Sequence, residues 1–97
     1  MITTDDVKKY LNIPGTSDDT MISGIIQTGY DYLAGAIDDF ATKQKNEAFS
    51  RLADAWVLHM WCPDAYDQRE GGFDGQRMAM NYPARAMLTQ LQMYKEG

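Results

Sequence analysis

Ile22, Ile25, Ile26, Tyr30, Leu33, Ile37 and Phe40 recur at intervals of three and four. That spacing puts all seven side chains on one stripe of an α-helix. A helix with one apolar stripe must bury it against other elements, so this segment constrains the chain more than any other. The spacing predicts a helix over residues 18–39, capped by Thr16 or Ser17, with Asp18 and Asp19 in its first turn. Gly24, Gly29 and Gly35 interrupt it, and each costs up to about 1 kcal/mol relative to Ala. Gly29 falls on the stripe, where a missing side chain lets another helix approach closely.

Three further segments share the period. A short helix is predicted over residues 4–11, with Val7, Tyr10 and Leu11 on one face. Thr3 is a good N-cap, and Asp6 completes a variant of the capping box. Ile13-Pro14-Gly15 stops this helix and turns the chain. A third helix is predicted over residues 44–61, with Phe49, Leu52, Ala53, Trp56, Val57 and Met60 inward. Pro63 ends it, because the residue before a proline is pushed out of the α region. The short link between the second and third helices favours an antiparallel pair. The last helix starts at Pro83, suited to the first helical position, and turns Met87, Leu88, Leu91 and Tyr94 inward.

Residues 62–82 lack helical period and hold Pro63, Gly71-Gly72 and Gly75. A loop of that length is uncommon in a compact domain and is usually functional. Gln76–Met80 leaves room for a short strand at most. The predicted class is therefore all-α, as a single domain over residues 1–97. With 44% hydrophobic and 24% charged residues, the composition is that of a globular domain. A chain this short buries roughly 60–65% of its unfolded surface, so subunit contacts would add to a thin stability margin. Seven methionines suit adaptable contact surfaces.

The net charge of −5 disfavours a grip on phosphate backbones. No apolar run is long enough to span a bilayer, which needs about 20 residues. The first residues show no signal-peptide pattern. Cys62 is the single cysteine, so it has no internal disulfide partner. His59 and Cys62 stand three apart, but zinc needs more ligands than one His and one Cys supply. A Cys62 nucleophile with His59 and Asp64 or Asp67 as helpers rests on sequence adjacency, which is not geometry. Asp5-Asp6 and Asp18-Asp19 sit at helix starts, where capping and the dipole account for them. Asp38-Asp39 sits at a predicted helix end, with no local reason. The carboxylates of the long segment lack the EF-hand spacing, and Gly71-Gly72 is not a phosphate loop. No catalytic, cofactor or metal site is expected.

The order of these helical patterns resembles the small head–tail connector proteins of tailed phages and prophages, also described as DNA-packaging or head-completion proteins. The likeness runs over nearly the whole chain. It is carried by Ile2 to Ile13, by Ser17-Asp18-Asp19 leading into Met21 to Ile26, by Leu52 to Trp61, and by Tyr82 to Leu91. Arg69-Glu70-Gly71-Gly72 is only loosely like the family's arginine-containing loop, and Met78 and Met80 depart from it. The resemblance implies a cyclic ring of about twelve copies beneath a portal protein. It also implies contact with the next neck or tail-completion protein, with DNA passing through the lumen unbound. The location implied is the virion neck, after assembly in the bacterial cytoplasm. It places subunit or portal contacts on the long segment, at Arg69, Glu70, Phe73, Arg77, Met78, Met80 and Tyr82. A different reading is a helical regulatory or adaptor protein that binds one partner through its C-terminal helix.

Overall fold

The computed structural model describes residues 1–67 and 82–94. The architecture is all-α, and no strand occurs among the described residues. In chain order the helices are α1 (Thr4–Leu11), α2 (Asp19–Ala36), α3 (Phe40–Lys43), α4 (Glu47–Trp56), a π-helical turn (Val57–Trp61), α5 (Cys62–Asp67) and α6 (Tyr82–Gln92).

α1 begins with the expected capping box. The Asp6 N–H donates to Thr3 Oγ1 at 3.2 Å, and the Thr3 N–H donates to Asp6 Oδ2 at 2.8 Å. The helix stops one residue before the Ile-Pro-Gly signal. Asn12 takes the left-handed conformation, φ 59°, as its C-cap, a role asparagine fills at low steric cost. Tyr10, expected to face inward, is instead 51% exposed. Its ring lies 4.7 Å from that of His59. Leu52, also expected inward, is 40% exposed.

α2 buries Ile22, Ile26, Gly29, Tyr30 and Leu33 as its stripe requires. It starts one residue later than expected and ends earlier, at Ala36. Neither Asp18 nor Asp19 caps it by a side-chain bond. The Tyr66 hydroxyl donates to Asp18 Oδ2 at 2.6 Å, and Lys8 Nζ donates to Asp19 Oδ1 at 2.9 Å. These carboxylates tie the start of α2 to α5 and α1. Asp38-Asp39 also finds its reason: the chain breaks there, and Asp39 adopts φ 56° to start α3.

Asn46 starts α4, its Oδ1 accepting from the Phe49 N–H at 3.0 Å. Pro63 does not end the helical path, contrary to the sequence expectation, and residues 62–67 are helical. In a continuous α-helix the residue-63 N–H would bond the His59 carbonyl, and proline has no N–H. The chain meets this with a π turn, in which the Cys62 N–H donates to the Val57 carbonyl. The wider turn takes up one extra residue, and Pro63 then falls in the first turn of α5, where no donor is needed.

α2 packs on α1, the π turn and α5, while α4 packs on α6. Phe49, Trp56 and Val57 lie at the centre with Leu33, Leu91 and Val7, all at most 1% exposed. Tyr30 ties the N-terminal segment down. It accepts from the Ile2 N–H at 3.0 Å and donates to Asp54 Oδ1 at 2.6 Å.

Candidate functional site

α2 carries a second, half-buried face beside its core stripe. Met21, Ile25, Thr28 and Tyr32 follow one another at intervals of four, three and four, so they share a face. Trp61 of the π turn and Ala65 of α5 close the other side. Together with Gly24 and Asp31 they line an open groove of about 720 Å³.

The floor is rigid. Trp61 is 2% exposed. Its indole Nε1–H donates to the Ile25 carbonyl at 3.0 Å. Its ring fills the space beside Gly29, where a Cβ would sit 2.8 Å from Trp61 Cδ1. The close approach inferred for Gly29 is therefore present. Tyr32 lies 5.2 Å from the Trp61 ring and stacks on Trp56 at 6.0 Å. Gly24 leaves the groove open, since a Cβ there would meet nothing within 4 Å.

The polar groups do not converge for chemistry. The Thr28 hydroxyl donates to the Ile25 carbonyl of its own helix at 2.8 Å. Asp31 is exposed and accepts from Gln27 Nε2 at 3.0 Å. Cys62 is fully buried, and burial pushes its thiol up to about 12. It stays protonated at neutral pH, whereas a nucleophile needs the thiolate. His59 is exposed on the outside of the π turn, against Tyr10. Among the described residues no three His, Cys, Asp or Glu side chains gather to hold a metal ion. Among them, no helix is long and apolar enough to cross a membrane.

The interface residues taken from the family resemblance, Arg69, Glu70, Phe73, Arg77, Met78 and Met80, lie outside the described residues. Tyr82 opens α6, and its side chain also lies outside them. The groove was not anticipated from sequence. Its signal was there in the Met21, Ile25, Thr28, Tyr32 spacing, masked by the stronger isoleucine stripe beside it. No family model, curated protein or solved structure matches the chain.

Proposed function

We propose that this chain is a structural connector subunit of a tailed phage or prophage. In this reading it forms a ring beneath the portal that extends the DNA channel and joins head to tail. The observation that carries the reading is the order and spacing of its helical segments, which resemble the phage head–tail connector family along nearly the whole chain. The acidic balance supports it, because a lumen of like charge lets DNA slide rather than stick. The groove supports it as well. A ring is built from heterologous contacts, so each copy must present two different surfaces. An open trough with an aromatic floor is suited to be one of them.

The test is mass measurement in solution across concentrations, with the protein alone and mixed with its portal protein. The expected outcome is a closed assembly of about twelve copies in at least one of these conditions. A strict monomer in both overturns the reading.

A further inference from the structure

The groove differs from a small-molecule pocket in its chemistry. Such pockets carry a few polar groups that converge to fix a ligand. Here the hydroxyl of Thr28 is spent on its own helix, and the other polar side-chain groups of the lining are the Tyr32 hydroxyl and the exposed Asp31 carboxylate, which is bonded to Gln27. The trough runs along α2 from Met21 to Tyr32, a length of about 16 Å or three helical turns. That is the shape an amphipathic helix fills when it lays its apolar face between two others.

The two helices that form it carry charge of one sign. α2 carries Asp19 and Asp31, α5 carries Asp64 and Asp67, and neither helix holds a lysine or arginine. Asp19 is paired with Lys8 at 2.9 Å. The other three carboxylates have no ion-pair partner among the described residues. An occupant with acidic flanks would be repelled, and one with basic flanks is steered in and held.

We propose that the groove between α2 and α5 is a docking site for a basic amphipathic helix of a partner protein. Its apolar face would lie on Met21, Ile25 and Tyr32, above the buried Trp61, and its lysines or arginines beside Asp31. The proposal rests on reading the chain as an assembly subunit, and it names the chemistry of one surface that subunit presents.

The test uses the intact protein and two synthetic helical peptides, one of leucine and lysine, one of leucine and glutamate. Backbone amide chemical shifts are followed during titration. The expected result is saturable binding of the lysine peptide alone, with shifts centred on Gly24, Thr28 and Tyr32 and affinity falling as salt is added. Gly24→Leu fills the trough from a position with free space around it. It should retain the native helical signal and melting temperature, or raise the latter, while lowering affinity about tenfold or more. Asp31→Lys should weaken binding of the lysine peptide.

Equal binding of both peptides, shifts elsewhere, or no saturable binding overturns the proposal. Self-association that Gly24→Leu abolishes, without peptide binding, overturns it in favour of a second copy as occupant. A ring that assembles while the lysine peptide fails to bind removes the docking site and leaves the connector reading standing. A strict monomer that binds the lysine peptide does the reverse.

Discussion

At Gly29 the Trp61 ring occupies the space where a side chain would begin, and at Gly24 that space is open. The same substitution should therefore have opposite signs at the two positions. Gly29→Ala forces the indole off its bond to the Ile25 carbonyl and should destabilise by about 1–3 kcal/mol, as overpacking does. Gly24→Ala gains helix propensity without a clash and should stabilise by about 0.5–1 kcal/mol. Urea unfolding of both variants measures the difference directly. Cys62 supports a second prediction. Its thiol has a folded-state pKa of about 12 against an ordinary 9.0. The unfolded chain loses this proton first, so the stability linked to Cys62 is full below pH 9 and lost as pH rises towards 12. Tyr30 is also raised, by burial and by the Asp54 carboxylate, and acts in the same direction at higher pH. The melting temperature should fall through the alkaline range, and less steeply in Cys62→Ala when each protein is compared with its own neutral-pH value. The same burial should keep Cys62 from thiol reagents at neutral pH until the protein unfolds.

On the scale of elements, α4 begins where the Asn46 side chain satisfies the Phe49 N–H, and the same oxygen accepts from the Tyr94 hydroxyl at 3.2 Å. Asn46→Ala loses the cap and the tether to the chain after α6 together. It should cost about 1–2 kcal/mol, read by thermal or chemical unfolding. Asn46→Asp should recover most of this, since aspartate caps as well as asparagine. The helices were legible in the sequence wherever the apolar period was regular. α1 with its capping box, the buried stripe of α2 and the inward Phe49, Ala53 and Trp56 of α4 follow from spacing alone. The course of the chain past Trp56 was not, because proline is a local stop only for a regular α-helix. A widened turn upstream removes the conflict, and it leaves no mark that a 3.6-residue period can detect. Tyr10 was misplaced for a related reason, since its neighbour His59 sits on that irregular turn.

For the whole molecule, burial was easier to read than surface. An isoleucine stripe announces a core, and the weaker Met21, Thr28, Tyr32 series beside it becomes a site only once Trp61 arrives from a distant part of the chain. The π turn joins these two facts. α4 contributes to the core and α5 to the wall of the groove, and the extra residue between them sets the angle at which one follows the other. Removing one residue within Val57–Trp61 would narrow the turn to the four-residue bonding frame and set the ring of Pro63, which has no N–H to bond there, against the carbonyl one turn earlier. Such a deletion is expected to abolish cooperative unfolding or yield a protein whose tryptophans are exposed in fluorescence, while a substitution at the exposed His59 of the same turn is tolerated. The number of residues across this turn is then as tightly constrained as the identity of its buried side chains.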